Sequence, residues 1–370
     1  MRGPGATRIF SLEFLLYLVS QMYKAGVKLR HAGYEKGWLK SKKLPCMVIS
    51  VGNLTVGGTG KTPLVIYLSQ TIQQLGYKVA VVSRGYKGRA EKRGAVVSDG
   101  RSLLCRPDTA GDEPFMLART LKDIPVLVGK KRFEVGMAAV EAFNPDIIIL
   151  DDAFQHRKLA RDLDLVLLDA ERPFGNEHLF PRGILREPIS GLERSDAVVL
   201  TRAEGDVSAT LRRLEKAAAG RPVFRSFHAP EIRHVVEAGR GLDRAAPDTA
   251  PSCDLKSLQQ APVLAFSGIA DNDAFREMLI GLGLIVRDFM AFPDHHGYAA
   301  EELALIPAAA ARAGCRLVVT TEKDFVKICE RIDWPVDLVV LGIDIAFGED
   351  TDKIKGFIKH RLGAWKTKKA

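Results

Sequence analysis

Along most of the chain, short runs of aliphatic and β-branched residues alternate with stretches of helical spacing, and each run ends at a polar or glycine residue. That alternation marks an α/β fold. The first series predicts strands over residues 46–51, 78–83, 125–128, 146–150, 163–169 and 196–201. Their apolar content is nearly continuous, which points to a parallel sheet covered on both faces. Helical spacing is predicted over 64–75 and about 208–219, while residues 221–228 read as extended but less purely apolar. Residues 237–260, rich in Gly, Ala, Pro and Asp, read as turns and loop. The pattern then restarts with strand 263–266, helix 272–282, strand 284–289 and helix 299–313. Strand 316–320 leads into a helix whose start carries Thr321 and Asp324 at capping-box spacing. Strand 337–343 and a basic amphipathic tail follow. A chain of 370 residues is long for one core. Three parts are therefore expected: an N-terminal region over 1–40, a larger α/β domain over 41–225, and a smaller one with the basic tail over 226–370.

Residues 9–19 read IFSLEFLLYLV, flanked by Arg8 and Lys24. The run is shorter than the roughly 20 apolar residues a bilayer-spanning helix needs, and no clear small-residue cleavage site follows it. An apolar helix next to a basic run suits the membrane interface; packing on the protein's own core is the alternative. Charge sharpens the first option. The net charge is +9, with Lys28, Arg30, Lys36, Lys40, Lys42 and Lys43 near the start and Lys359, Arg361, Lys366, Lys368 and Lys369 at the end. Basic ends favour an anionic surface. Nucleic acid is disfavoured, because aromatic platforms and a recognisable module are lacking. No obligate protein partner is evident. Five scattered cysteines without a C-x-x-C pair fit a reducing compartment better than a disulfide framework.

The strand at 47–51 runs into Gly52-Asn53-Leu54-Thr55-Val56-Gly57-Gly58-Thr59-Gly60-Lys61-Thr62-Pro63, and a helical stretch follows. Strand, glycine-rich loop and helix are the context a Walker A phosphate loop requires. Residues Thr55 to Thr62 form the expected phosphate cradle, with backbone N–H groups and the helix N-terminus facing the anion. Lys61 is expected to reach the β- and γ-phosphates, and Thr62 to hold Mg²⁺. Thr55 stands where the motif usually has its first glycine. Asp151 and Asp152, at the end of the 146–150 strand, are the matching acids for Mg²⁺. A GTPase would show N-K-x-D or T-K-x-D after a strand; Thr320-Thr321-Glu322-Lys323-Asp324 has the wrong order, so ATP is favoured. On these residues alone, a kinase and a switch ATPase acting on a partner at the membrane both remain open.

Six strings extend the pattern: VGNLTVGGTGKTP (51–63), SRGYKG (83–88), GDEP (111–114), DDAFQH (151–156), ERPFGNEHLFPRGILREP (171–188) and FPDHHGY (292–298). Together they resemble the tetraacyldisaccharide 4′-kinase family of lipid A biosynthesis over nearly the whole chain. The resemblance implies transfer of the γ-phosphoryl of ATP to the 4′-hydroxyl of a tetraacylated glucosamine disaccharide 1-phosphate, giving lipid IVA. It implies a peripheral enzyme at the cytoplasmic face of the bacterial inner membrane, with its N-terminal helix on that membrane. It also implies two α/β/α domains, the larger of P-loop NTPase type, joined by a two-stranded hinge linker. Thr55 becomes a family trait.

The family's catalytic pair maps onto Asp112 and His295. A carboxylate beside an imidazole suits proton removal from a sugar hydroxyl, and Asp112 is expected to be the base, assisted by His295. Alone, Gly111-Asp112-Glu113-Pro114 also reads as a helix start with Asp112 as its cap. Glu113 and Gln155 are further candidates for Mg²⁺ contact or water positioning. Arg132, Arg182 and Arg186 are candidates for the substrate's 1-phosphate, since Arg suits bidentate phosphate contact. His156 lies close enough in sequence to Asp152 to tune it.

Overall fold

A computed structural model of the chain describes residues 12–239 and 254–369. The expected start of the N-terminal helix at 9–11 and most of the loop expected over 237–260 lie outside the described residues. The first half contains α1 (Leu12–Glu35), β1 (Met47–Asn53), α2 (Lys61–Gln74), β2 (Val79–Ser83), β3 (Ala95–Ser98), α3 (Pro107–Ala110) and α4 (Asp112–Thr120). Next come β4 (Val126–Val128), α5 (Arg132–Phe143), β5 (Ile147–Asp151), β6 (Leu163–Asp169), β7 (Ala197–Thr201), α6 (Ser208–Ala217) and β8 (Val223–Arg225). Among the described residues these strands form one sheet in the order β3-β4-β2-β5-β1-β6-β7-β8, parallel except for β3.

Each central strand is apolar on both sides, and the two sides enter different cores. Ile147 and Ile149 of β5 pack with Leu64, Leu68 and Ile72 of α2. Ile148 and Leu150 point the other way, toward Val135 and Ala139 of α5. Val166 and Leu168 of β6 pack with Leu214 of α6. Polar groups can therefore leave the sheet only at strand ends, and in a parallel sheet the C-terminal ends share one edge. β3 was not expected. Its four residues, Ala-Val-Val-Ser, are too few to stand out from the charged residues before them.

The second sheet contains β9 (Phe227–Val236), β10 (Pro262–Ser267), β11 (Ile285–Ala291), β12 (Leu317–Thr321) and β13 (Asp337–Ala346). Its order is β11-β10-β12-β13-β9, and its helices are α7 (Asn272–Gly281), α8 (Ala300–Arg312) and α9 (Glu322–Ile328). β9 starts almost where β8 ends, and it pairs antiparallel with β13 from Phe227↔Ala346 to Val236↔Leu338. The chain thus leaves the first sheet along one strand and returns along its neighbour. Both strands are longer than the runs at 221–228 and 337–343 suggested.

After β13 comes α10 (Thr351–Lys369). The sequence pattern places it, as a basic tail, with the second domain. In the structure Ile354, Ile358 and Leu362, spaced by four, are buried in the core of the first sheet beside α2. Phe357 and Trp365, partly buried, pack against the same core, and the basic residues set between these positions conceal the stripe in the sequence.

α1 runs for 24 residues, about 36 Å at the helical rise. Among the described residues no helix is long and apolar enough to cross a membrane. α1 is docked by polar and aromatic contacts: Tyr23 donates to Arg186 O (2.8 Å), Arg30 to Gln155 O (2.8 Å), and Arg182 lies over Tyr17 (5.0 Å). Its only buried residues are Ser20 and Gly33, while Leu12, Leu15, Leu18, Met22 and Leu29 are exposed. The helix is thus not one that buries its leucines in the protein's own core.

The seating of α10 gives a direct test. Ile358→Ala is expected to destabilise the protein by about 2–5 kcal/mol, read as the shift in a urea unfolding curve. Leu29→Ala in α1 should change it by less than about 0.5 kcal/mol. A loss under about 1 kcal/mol at Ile358 would mean that α10 is not part of the first core.

Candidate active site

β1 ends at Asn53, and the next residues continue as an extended limb. Thr55 bridges Leu185, Val56 N–H donates to Ile184 O (2.7 Å), and Arg186 N–H donates to Leu54 O (2.7 Å). The chain at Thr55 is strand-like, buried and paired, so a residue with a Cβ fits where other phosphate loops place glycine. Left-handed backbone is needed only later, at Gly57 (φ 121°) and Gly60 (φ 78°). The side chain of Asn53 donates to Thr59 Oγ1 (2.9 Å) and ties the limbs of the loop together. Gly60 is the N-cap of α2 and supplies no side chain, so the first N–H groups of α2 remain available to an anion.

The outer side of Gly60 is closed by His228 of β9, whose Nε2 lies 3.2 Å from where a Cβ would stand. Burial, then Arg202, lowers the pKa of this imidazole to about 4, so it is neutral. Arg202, just past β7, donates to Asp169 (2.6 Å) and to Gly58 O (3.5 Å). Neither His228 nor Arg202 belongs to a motif that made it visible in the sequence.

The neighbouring β5 delivers the two acids. Asp151 is 2% exposed; its Oδ2 accepts from Ser83 (2.8 Å), and its Oδ1 is buried with no hydrogen-bond partner among the described residues. Burial, then the charges of Glu113 and Asp152, raises its pKa to about 6. Asp152 follows in the left-handed region (φ 47°). Its carboxylate takes two hydrogen bonds from Arg186 Nη1 (2.8 and 2.9 Å) and lies 3.8 Å from Lys61 Nζ. Burial pushes this carboxyl up, but Lys61 and Arg186 together hold it below the ordinary range.

Asp112 and His295, 183 positions apart, are in contact: His295 Nδ1 is 3.1 Å from Asp112 Oδ2. Asp112 is not the cap of α4. Gly111 is the N-cap, with φ 89° and ψ 153°, and Asp112 is the first helical residue. Gly111 is required there, because a Cβ would lie 2.9 Å from Tyr86 O. This packs the SRGYKG segment under the GDEP segment and brings the Tyr86 ring edge-on to His295 at 5.8 Å. His295 itself has φ 60°. Its Nε2 lies 3.5 Å from Lys323 Nζ, which also donates to Asp294 (3.0 Å). A carboxylate only accepts, so it is Nδ1–H that is donated to Asp112. Burial pushes the Asp112 carboxyl up, but the His295 hydrogen bond and the Lys327 charge outweigh it and hold it below the ordinary range.

Other candidates separate from these groups. Gln155 donates its amide to Asn53 O and to Glu187 Oε1, both at 2.8 Å, so it braces the end of β1. Glu113 lies 3.9 Å from Lys323, and its charge is felt at Asp151. Arg132, Arg182 and Arg186 have separate partners. Arg132 is 3% exposed and donates to Gly129 O and Asp151 O, Arg186 is committed to Asp152, and Arg182 is beside α1. His156 is neutral, its pKa lowered to about 4 by burial and then Arg132. The segment Thr320 to Asp324, whose order does not match a guanine-reading motif, supplies Lys323 and Asp324 beside the Asp112–His295 pair.

A parallel sheet with an uncapped phosphate loop on its central strand, two acids on the adjoining strand and a carboxylate–imidazole pair nearby defines a P-loop phosphotransferase. The profile described as tetraacyldisaccharide-1-P 4′-kinase, LpxK, matches residues 12–363. The tetraacyldisaccharide 4′-kinase of Desulfatibacillum aliphaticivorans is 41% identical over 351 residues, covering 94% of this chain and 92% of that protein. That of Syntrophus aciditrophicus is 42% identical, covering 88% and 87%. A crystal structure of the "apo" form of LpxK from Aquifex aeolicus in complex with ATP is 33% identical, with a TM-score of 0.73, covering 95% of this chain and all of that one. The chain belongs to the tetraacyldisaccharide 4′-kinase family.

The backbone at Gly111 is testable. Gly111→Ala should cost about 1–3 kcal/mol, because φ 89° with ψ 153° is a region that only glycine occupies without strain. Urea midpoints of the two proteins measure it, and an unchanged midpoint would show that the loop relaxes freely.

Proposed function

We propose that this protein transfers the γ-phosphoryl group of ATP to the 4′-hydroxyl of a tetraacylated glucosamine disaccharide 1-phosphate, on the cytoplasmic face of the inner membrane. The observation that carries the residue assignment is the Asp112–His295 contact, made across the two sheets in a chain of this family. Residues Thr55 to Thr62 cradle the triphosphate through backbone N–H groups, and Lys61 turns from Asp152 toward the β- and γ-phosphates. The residues present fit Mg²⁺: the orphaned Oδ1 of Asp151 and its raised pKa are what a cation would relieve. Asp151 and the Thr62 hydroxyl would hold the ion, with Asp152 alongside, a set in keeping with the few protein ligands Mg²⁺ takes. Bound there, it supplies neutralisation of charge on the phosphoryl oxygens.

Asp112 is the base. His295 donates Nδ1–H to Oδ2 and orients the carboxylate; the acceptor hydroxyl gives its proton to Asp112 as its oxygen forms the new bond to phosphorus and the bond from phosphorus to the ADP oxygen breaks. Because the two residues come from different sheets, the pair exists only when the unit of 41–225 with α10 and the unit that begins at 226 meet. Of the three arginines, Arg182 is the one we assign to the 1-phosphate, since it lies beside α1 and has no carboxylate partner among the described residues. The outward leucines of α1 enter the headgroup region of the bilayer, and the neighbouring lysines meet anionic lipid.

Incubation with ATP, Mg²⁺ and the disaccharide 1-phosphate in detergent micelles should give a product phosphorylated at the 4′ position. Absence of that product overturns the reading. Asp112→Ala should lower kcat by about 10²–10⁴-fold, the range for a lost general base, while ATP affinity measured by calorimetry stays within about twofold. An equal loss of ATP affinity would make Asp112 a nucleotide ligand. For the membrane contact, Leu15→Glu with Leu18→Glu should weaken co-sedimentation with anionic vesicles by more than about tenfold, given about 1.5–3 kcal/mol for each buried leucine. Unchanged co-sedimentation would remove α1 from the membrane.

A further inference from the structure

α9 belongs to the second sheet, and it directs Lys323 and Lys327, one turn apart, at the pair formed by Asp112 and His295. Lys323, 20% exposed, is accounted for by Asp294. Lys327 is not. Its side chain is 8% exposed, its ammonium lies 3.5 Å from Asp112 Oδ2, and it donates to Asp324 Oδ1 at 3.2 Å. Burying an ammonium is costly unless it is paired, and the two carboxylates are what pair it.

Asp324 is a rigid anchor. It is fully buried, and its Oδ2 accepts from Gly268 N–H (2.9 Å) and from the Thr321 hydroxyl (2.7 Å). Its own N–H is capped by Thr321 Oγ1 at 3.1 Å. The side of Lys327 is covered by the ring of Tyr298, at 5.9 Å. Asp324, Lys327 and Asp112 thus form a chain in which the first member is immobile, the second is confined and the third faces the site.

Both contacts to Asp112 fall on the same oxygen. His295 Nδ1 and Lys327 Nζ approach Oδ2, and among the described residues no side-chain hydrogen bond is made to Oδ1. One contact leaves a carboxylate free to swing about it; a second, the Lys327 ammonium at 3.5 Å, restrains that swing. We propose that Lys327 is a positioning residue for phosphoryl transfer, holding Oδ2 of Asp112 from the second unit so that Oδ1 is presented to the acceptor hydroxyl. The proposal rests on Asp112 being the base. Glu113 on the same helix, Lys323 and Asp324 on α9, and Asp294 and His295 on the loop after β11 are the other charged or titratable groups around the pair.

The test compares Lys327→Met, which keeps length but removes charge and donor, with Lys327→Arg, which keeps both, in the full chain assayed in micelles. The methionine variant should lose about 10²-fold in kcat, the scale of a misplaced catalytic group, with the KM for lipid and the ATP affinity each within about threefold of the parent. The arginine variant should recover most of the rate. In an Asp112→Ala background, Lys327→Met should lower the residual rate by less than about twofold, because the group it positions is gone. If the methionine variant does not fold, Lys327→Gln replaces it and should show the same loss in kcat without a change in KM. An unchanged kcat in a folded variant overturns the proposal, as does a full additional loss in the Asp112→Ala background. Failure of the parent protein to form 4′-phosphorylated product is a separate result, and it would remove the underlying reading instead.

Discussion

Burial of the central strands on both faces is the constraint from which the rest of the structure follows. β1, β5 and β6 have no polar face to offer, so each can contribute chemistry only where it ends. Parallel pairing puts the ends of β1 and β5 side by side, with Val51 opposite Asp151. The phosphate loop and its acids are neighbours for that reason, although about a hundred residues separate them in the chain. The same logic holds in the second sheet, where Thr321 ends β12 and starts the helix that carries Lys323 and Lys327.

Charge in the site is arranged so that each carboxylate meets a different fate. Asp152 is surrounded by Lys61 and Arg186 and stays ionised, whereas Asp151, with a serine and an empty oxygen, is left short of positive charge. Asp112 gets its compensation from the opposite unit, through His295 and Lys327. A group that depends on another unit for its charge balance is a sensor of that unit's position. The first sheet alone would present a bare phosphate loop with one acid unsatisfied and its proposed base unpaired.

Much of this was legible in the sequence, and the exceptions have physical causes. The phosphate loop and the Asp151–Asp152 pair could be read because their chemistry depends on local order along the chain. Thr55 could be matched to a family but not explained, since its explanation is pairing with residues 184–186. Those same residues carry Arg186, which offered a phosphate contact in the sequence but is spent on Asp152 in space. Lys327 had no motif to recommend it, because its meaning lies in two carboxylates, one of them 215 positions away in α4. Asp112 looked like a helix cap because the local pattern is that of a helix start; the cap is one residue earlier, and the carboxylate is free to point elsewhere. The stripe in α10 is hidden for the opposite reason, with its apolar residues set among many basic ones.

The return of α10 to the first core makes the second unit an insertion within the first. Ile354, Ile358 and Leu362 complete packing that begins with β1, more than three hundred residues earlier. During synthesis the ribosome must therefore deliver the whole second unit, and then the final helix, before the nucleotide-binding core can close. At about 5–20 residues per second, the early strands wait for that helix with part of their apolar surface uncovered.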